Sequence, residues 1–238
     1  MNLVVDIGNT TVKAAVFAGK EMVDYKREDG QDVSILKEMV DKYNIDRCII
    51  SSTANIEEHT TQEINNLGCD IEYLTSKTPL PIKNLYRTPE TLGTDRLAGV
   101  VGAYDAMPGK DILVIDMGTA ITYDIINAKG EYLGGNISPG IVMRLKALHN
   151  QTAKLPLVDA EGIKPEIGYD TETAIRCGVT DGVKYEIEGF ISTQIVKYPY
   201  LLIFLTGGDG FDFDECIKRR IFVDRFLVLK GLNRILNH

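Results

Sequence analysis

The chain has 238 residues, of which 26 are basic and 34 acidic, and its net charge is −8 at pH 7. A hydrophobic content of 44% over this length suits one large domain or two small ones and excludes extended disorder. The acidic balance without a basic cluster disfavours duplex nucleic acid as a partner, and no apolar run reaches the ~18 residues of a membrane span, so we expect a soluble, cytoplasmic protein without a membrane partner.

Cysteines and histidines form no recognisable metal or disulfide pattern. No two cysteines make a C-x-x-C pair, and no two histidines share a helical spacing. The sequence therefore predicts neither a disulfide framework nor a zinc or histidine metal centre. The residues concerned are Cys48, Cys69, Cys177, Cys216, His59, His149 and His238.

The first half of the chain predicts alternating strands and helices. An apolar run over residues 3–5 ends at Asp6, and a hairpin of residues 12–17 and 21–25 follows. Apolar residues at helical spacing predict a helix from Val33 to Tyr43, with Asp32 placed to cap it. The remaining predicted elements are a strand at 48–50, a helix over 56–67, a strand at 71–74 and a helix over 96–104.

The second half repeats the first. Residues 3–10 (LVVDIGNT) recur as residues 113–120 (LVIDMGTA), so that Asp116 stands 110 positions after Asp6, and a hairpin follows each copy. The second hairpin comprises residues 121–127 and 131–133. The remaining predicted elements are helices over 141–149 and 171–196, a strand over 201–205 and a terminal helix over 226–236.

This order predicts an α/β fold with mixed sheets flanked by helices. We expect two related domains, residues 1–112 and 113–238, facing each other across a cleft into which Asp6 and Asp116 project from corresponding strand ends. The alternative is that the two Asp-x-Gly turns are coincidental, since this pattern is common after a strand. The matching apolar triplets and hairpins favour the duplication.

The first copy carries the parts of a phosphate-binding turn, namely Asp6, Ile7, Gly8, Asn9, Thr10, Thr11, Val12 and Lys13. Gly8 lets the backbone approach a phosphate, and successive N–H groups with the threonine hydroxyls form an anion nest. Asp6 suits a Mg²⁺ ion held through its water shell. Lys13 supplies a mobile positive charge, although a solvated lysine at a strand end explains it equally well. No Walker-type loop occurs.

The second copy offers matching groups for the same ligand. Asp116 and Thr119 add a second carboxylate and a second hydroxyl. Because neighbouring carboxylates repel each other, we expect Asp116 to carry a cation of its own. The run Thr206-Gly207-Gly208 allows close approach of a nucleotide base and ribose, although a plain turn is the simpler interpretation.

A loop before the predicted helix at 96–104 combines Tyr86 with the run Gly93-Thr94-Asp95-Arg96. An aspartate at a helix start is often only a cap. Beside Arg96, however, Asp95 suits the proton acceptor of a phosphoryl transfer, in which the acceptor hydroxyl loses its proton late and an ordinary carboxylate suffices.

Taken together, these motifs resemble the type III pantothenate kinase family. That family belongs to the superfamily of acetate kinases, sugar kinases, heat-shock ATPases and actin, whose chains contain duplicated ribonuclease-H-like domains. The motifs are D-x-G-N-T-x-x-K at 6–13, Tyr86 with G-x-D-R at 93–96, D-x-G-T-A at 116–120, G-G and P-G at 134–135 and 139–140, D-T-x-x-A-I at 170–175, T-G-G at 206–208, and L-x-L-x-G-L at 227–232.

The resemblance implies ATP-dependent phosphorylation of pantothenate to 4'-phosphopantothenate, the first step of coenzyme A synthesis. By position, it implies ATP contacts at residues 6–13 and Thr119, and a proton acceptor at Asp95. It implies pantothenate contacts at Tyr86, Gly93, Thr94, Asp95, Arg96 and Thr171. It further implies Mg²⁺ at Asp6, a monovalent cation (K⁺ or NH₄⁺) at Asp116, and a homodimer in which Thr171 completes the neighbouring subunit's site.

The sequence departs from the family pattern at Asp170, where Asn is more common, and we expect Asp170 to point away or to cap the following helix. Residues 209–222 give little recognisable detail. Two alternatives stay open: a non-catalytic regulator on the same fold, and another small-molecule kinase such as a sugar or N-acetylsugar kinase. The joint presence of Asp6, Lys13, Asp95, Arg96 and Asp116 disfavours the regulator, and the lack of a zinc-binding cysteine cluster disfavours the sugar kinase.

Overall fold

The computed structural model describes residues 1–208 and 218–238, and two mixed sheets form its framework. The strands of the first sheet are β1 (Asn2–Ile7), β2 (Thr11–Ala18), β3 (Glu21–Asp29), β4 (Arg47–Ser52) and β5 (Asp70–Tyr73). They lie in the order β3-β2-β1-β4-β5. The hairpin β2–β3 is the predicted one, extended at both ends.

The second sheet repeats this arrangement. Its strands are β6 (Lys83–Asn84), β7 (Ile112–Met117), β8 (Ala120–Ile126), β9 (Glu131–Pro139), β10 (Leu202–Gly207) and β11 (Ile221–Val223), in the order β11-β10-β7-β8-β9-β6. In both sheets an antiparallel meander of three strands is followed by a strand that pairs in parallel with the first, β4 with β1 and β10 with β7. The predicted duplication is confirmed.

The helices lie where the sequence predicts them, but most begin or end at other residues than predicted. They are α1 (Ser34–Lys42), α2 (Glu58–Asn65), α3 (Thr94–Ala106), α4 (Ile141–Asn150), α5 (Thr171–Lys197) and α6 (Leu227–Leu236), with a short 3₁₀ turn at Pro89–Thr91. Helix α3 begins two residues earlier than predicted, so that Asp95 lies within its first turn. The cap position of α1 is Val33, so Asp32 is not the helix cap that the sequence predicts, although it accepts a hydrogen bond from the Ser34 N–H at 2.8 Å.

Helices α3 and α6 lie between the two sheets and join their inner faces. The central core contains Val4 and Ile49 of the first sheet, Val114 and Phe204 of the second, and buried residues of both helices. The helices cross at Gly102 and Gly231, where a Cβ would overlap a backbone carbonyl oxygen of the other helix. Helices α1 and α2 cover the outer face of the first sheet, and α5 that of the second.

Two elements cross between the halves of the chain. Strand β6 pairs with β9 of the second sheet, while α6 is fixed to the first: Asn2 Nδ2 donates to Asn233 Oδ1 at 2.9 Å, and Arg47 Nη1 donates to the Leu236 carbonyl at 2.6 Å. The domain boundary at residues 112 and 113 stays a prediction. Within the two described ranges, no helix is long and apolar enough to cross a membrane.

Candidate active site

The two repeated aspartates stand at corresponding strand ends. Asp6 on β1 lies opposite Lys13 of β2 and Ser51 of β4. Asp116 on β7 lies opposite Thr122 of β8 and Thr206 of β10. The negative charge of Asp116 raises the pKa of Asp6, so the two strand ends lie close enough to interact; that they bind one ligand together stays a prediction.

Burial and neighbouring negative charges raise the pKa values of both carboxyls. Burial is the largest cause for Asp6, whose pKa rises to about 7, and for Asp116, whose pKa rises to about 6. In both cases the positive charge of Lys13 opposes the shift and the negative charge of Asp95 adds to it. Lys13 therefore acts on Asp6 and Asp116, and Asp95 adds negative charge to both, which leaves a local excess of negative charge.

The buried Oδ1 atom of Asp6 accepts no hydrogen bond from any residue in the described part of the chain. A buried carboxylate oxygen without a donor is costly unless a cation or water meets it. Across residues 1–208 and 218–238, no group of three or more acidic, cysteine or histidine side chains could enclose a metal ion. The site fits an ion held by one carboxylate and water, which is how Mg²⁺ binds in phosphate-transfer sites.

Asp95 is placed in this group by the first turn of α3. The Thr94 hydroxyl hydrogen-bonds the Ser51 hydroxyl at 2.9 Å and donates to the Ser52 carbonyl at 3.3 Å, which fixes the helix start to the end of β4. The cap position is Gly93, two residues before Asp95, so Asp95 is not the helix cap. A Cβ on Gly93 would lie 2.6 Å from Asp95 Oδ1, which explains why glycine stands there.

The pKa of Asp95 is raised, chiefly by burial and also by the charge of Asp124. The Arg96 N–H, which donates to Asp95 Oδ1 at 2.7 Å, and the positive charge of Arg96 oppose the shift. Burial without complete charge compensation is typical of carboxylates that act as bases.

Arg96 makes an ion pair that sequence reasoning missed. Its Nε lies 3.1 and 3.2 Å from the two Asp124 carboxylate oxygens, and its Nη2 donates to Asp124 Oδ1 at 2.6 Å. The pair raises the pKa of Arg96, against the effect of burial. Asp124 is the single charged residue in the mainly apolar run ITYDII at 121–126. A lone charge in such a strand is the sequence feature that could have indicated a buried ion pair.

Tyr86 lies over this ion pair. Its ring centroid is 5.7 Å from Arg96 Cζ, and it stacks on Tyr132 with centroids 6.1 Å apart. Gly134, with φ of +108°, accommodates the ring, since a Cβ there would lie 3.3 Å from Tyr86. The G-G motif and Tyr86 therefore belong to one structural unit.

The turns predicted to bind nucleotide lie at the ends of β1, β7 and β10. Gly8 N–H donates to the Thr11 carbonyl at 2.9 Å, while Asn9, Thr10 and Thr119 are exposed. The side chains of Ile7 and Val12 belong to the core beside α1, so only their backbone is available to a ligand.

The T-G-G motif packs directly against the Asp116 turn. Gly207 has φ of +90°, and its hypothetical Cβ would overlap Asp116 Oδ1. Gly208 N–H donates to the Met117 carbonyl at 2.6 Å. The Pro139-Gly140 motif also reaches this region, because Gly140 N–H donates to the Thr119 carbonyl at 3.0 Å.

Thr171 is not brought to the aspartate cluster within the chain. It is exposed at the start of α5, on the outer side of the second sheet, and no hydrogen bond in the described ranges links it to Asp6, Asp95 or Asp116. Asp170 caps α5 by accepting the Thr173 N–H at 2.8 Å, which confirms its expected role. Of the segment without recognisable detail, residues 209–217 lie outside the described residues.

Solved structures of low sequence identity share this fold. A conserved putative Baf family transcriptional activator from Campylobacter jejuni has a TM-score of 0.61 at 21% identity, over 99% of this chain and 97% of its own. A putative 2-dehydro-3-deoxygalactonokinase from Sinorhizobium meliloti has a TM-score of 0.58 at 13% identity, over 100% and 98%. The predicted α/β fold of duplicated ribonuclease-H-like halves is confirmed.

Sequence relatives are much more similar. A protein from Bacteroides fragilis named type III pantothenate kinase is 54% identical over 100% of this chain and 98% of its own length. One of the same name from Phocaeicola vulgatus is 50% identical over 100% and 98%. The sequence model described as type III pantothenate kinase matches residues 2–193. With this match and these identities, the chain belongs to the type III pantothenate kinase family.

Proposed function

We propose that the protein transfers the γ-phosphoryl group of ATP to the primary hydroxyl of pantothenate and forms 4'-phosphopantothenate, the first step of coenzyme A synthesis. The observation that carries the proposal is the electrostatic grouping of Asp6 and Asp116, from two related sheets, with Lys13 and with Asp95 of α3. Membership of the family supports pantothenate and ATP as the two substrates.

Asp95 is the proposed proton acceptor. Its raised pKa makes it a stronger base than an exposed aspartate. Its Oδ1 accepts the Arg96 N–H, so Oδ2 is the oxygen proposed to receive the hydroxyl proton. In a loose transition state the proton leaves late, and most of the acceleration comes from positioning and from positive charge near the transferred group.

The ATP phosphates are proposed to lie against the β1–β2 turn and the β7–β8 turn. Backbone N–H groups of exposed Asn9 and Thr10, with the hydroxyls of Thr10, Thr11 and Thr119, supply donors. Ile7, Gly8 and Val12 contribute through their backbone. Lys13, opposite Asp6 in the sheet, supplies the positive charge to the phosphates.

Two cations are proposed to complete the site. Asp6 Oδ1, which has no hydrogen-bond donor among the described residues, supports Mg²⁺ held through water, and the half-buried Asp116 supports K⁺ or NH₄⁺. Mg²⁺, when bound, neutralises charge on the phosphate oxygens. Because burial raises the pKa of both carboxyls, each binds a cation in competition with a proton.

Pantothenate is proposed to lie beside the first turn of α3, lined by Tyr86, Gly93, Thr94, Asp95 and Arg96. Two observations support this location: Tyr86, stacked on Tyr132, lies beside Arg96, and the start of α3 that carries Asp95 is fixed to β4. The final contact, Thr171, is proposed to come from a second copy of the chain.

A homodimer through the outward side of α5 would supply that contact. Gly178, Gly182 and Gly189 share this side, and a Cβ on any of them would meet only open space. Tyr185 on the same side is 67% exposed, and Tyr169 before the helix is 69% exposed. Large exposed apolar groups beside a flat glycine surface support an interface between copies. We further propose a cytoplasmic location, where ATP and K⁺ are abundant.

Product analysis by mass spectrometry tests the proposed function. Purified protein is incubated with ATP, Mg²⁺, K⁺ and pantothenate, and parallel reactions contain N-acetylmannosamine or a simple sugar. We expect 4'-phosphopantothenate as the product and no phosphorylated sugar. A folded protein that binds ATP but phosphorylates nothing would favour the regulator, and a phosphorylated sugar would favour the other kinase class.

A further inference from the structure

The Arg96–Asp124 ion pair links the two halves of the site. Arg96 belongs to α3, immediately after Asp95, whereas Asp124 lies on β8 of the second sheet. The side chains are 5% and 1% exposed, and two guanidinium nitrogens reach the carboxylate. This geometry is rigid, because a two-point contact fixes both the distance and the plane of the guanidinium.

Two residues of β9, Tyr132 and Gly135, adjoin the Asp124 carboxylate, and Tyr86 packs on Tyr132. The Tyr132 hydroxyl donates to Asp124 Oδ1 at 2.6 Å, and Tyr86 stacks on the Tyr132 ring. Gly135 leaves the required space, since a Cβ there would lie 2.7 Å from Asp124 Oδ1. The carboxylate is therefore held from β9 and from α3.

A short chain of contacts joins Asp95 to Asp116 through this ion pair. Asp95 is adjacent to Arg96 in sequence, and Arg96 binds Asp124. On the same strand, Thr122 lies two residues before Asp124 and directly opposite Asp116 in the β7–β8 pairing. A displacement of Arg96 would therefore change the separation of the two carboxylates on either side of the proposed phosphoryl group.

We propose that Asp124 is a positioning residue for phosphoryl transfer, which holds the first turn of α3 against the second sheet so that Asp95 faces the Asp116 turn. The inference rests on the proposed function. A buried ion pair contributes little net stability compared with apolar packing, and its place between the two halves gives it a geometric role instead. Because Nε and Nη2 of Arg96 donate to Asp124, these two nitrogens do not bind the carboxylate of the substrate.

The variant Asp124→Asn tests the role, because the amide keeps the shape of the side chain and loses its charge. We expect kcat to fall by about 10²-fold, the scale of a misplaced catalytic group, while KM for ATP changes by less than about two-fold. Since ATP stays in place while the hydroxyl is misplaced, the ratio of ADP to 4'-phosphopantothenate formed should also rise. General loss of folded protein would lower both products together.

Two further variants make the test specific. Tyr132→Phe removes only the hydroxyl that donates to Asp124. We expect a smaller fall in kcat than in Asp124→Asn, again with a rise in the ratio of ADP to 4'-phosphopantothenate. This variant carries the test if Asp124→Asn does not fold. In the double variant the losses should not add, because both act through one ion pair. Asp105→Asn is the matched control, since Asp105 accepts from Arg234 Nε at 3.1 Å near the opposite end of α3, and it should keep wild-type kcat and ratio.

The outcomes separate this inference from the proposed function. An active wild type with unchanged kcat and product ratio in the folded Asp124 and Tyr132 variants overturns the positioning role alone. The same holds if Asp105→Asn loses as much activity as Asp124→Asn. A folded wild type that forms no 4'-phosphopantothenate overturns the proposed function, and the positioning role with it.

Discussion

Replacing Asp6 by Asn should stabilise the protein in the absence of nucleotide and divalent cation, and the gain should grow as the pH rises. Burial raises the pKa of Asp6 from an ordinary 3.8 to about 7. Between these two values the folded protein holds a proton that the unfolded chain has released, so the free energy of unfolding decreases with rising pH.

The size of the effect follows from linkage. A group protonated in the folded state and ionised in the unfolded state changes the free energy of unfolding by about 1.4 kcal/mol per pH unit. From about pH 5 to about pH 8, the ionisation of Asp6 should thus lower the free energy of unfolding of the wild type by about 2–3 kcal/mol, a decrease that the Asn variant does not show. Above the folded pKa the difference levels off, because both states are then ionised.

Urea unfolding midpoints of both proteins at several pH values measure this difference. Asp170→Asn is the matched control: the Thr173 N–H lowers the pKa of Asp170, so this carboxyl is ionised in both states over the range, and its difference from wild type should stay constant. Saturating Mg²⁺ and ATP should weaken the pH dependence of the wild type. A difference between Asp6→Asn and wild type that stays constant or shrinks as the pH rises would refute the burial argument.

Three further predictions concern the turns around the site. Lys13→Ala should raise KM for ATP more than KM for pantothenate, because its charge is assigned to the phosphates. Steady-state kinetics with each substrate varied measure both constants, and a larger rise in KM for pantothenate would contradict the assignment. Replacing K⁺ by Na⁺ should depress kcat in the wild type and have little effect in Asp116→Asn, and equal wild-type rates in both salts would contradict a cation at Asp116. Gly207→Ala should lower kcat by about 10-fold or more, since its Cβ would overlap Asp116 Oδ1 at a backbone φ of +90°; unchanged kcat would show that this close packing does not matter.

The duplicated fold could be predicted because its signal is local and occurs twice. An apolar triplet, an aspartate, a small turn and a hairpin specify β1–β2–β3 and β7–β8–β9 without any long-range information. The two elements that cross between the halves of the chain, β6 and α6, could not be predicted in this way. Strand β6 has two residues, too few for a periodic pattern, and the side of α6 that meets the first sheet depends on tertiary packing.

The site shows the same division between local and tertiary information. Asp6, Asp95 and Asp116 stand in recognisable local motifs. The equivalent positions of Asp6 and Asp116 follow from the duplication, whereas Asp95 is placed by the start of α3. The partner of Arg96 depends on how the start of α3 meets β8, which no local pattern encodes. In the sequence, Asp124 differs from its neighbours only as a charge within an apolar strand, and such an exception indicates a buried partner without identifying it.

The central claim is that Asp95 accepts the proton when phosphate passes to pantothenate between the three aspartates. Rapid-quench measurement of a single turnover, with protein in excess over γ-labelled ATP, follows this step directly in the wild type and in Asp95→Asn. We expect wild-type label to appear on pantothenate and the variant rate constant to be lower by about 10²-fold or more, with ATP affinity and the unfolding midpoint retained. A variant rate near that of the wild type, or label that passes to water instead of pantothenate in the wild type, would contradict the account.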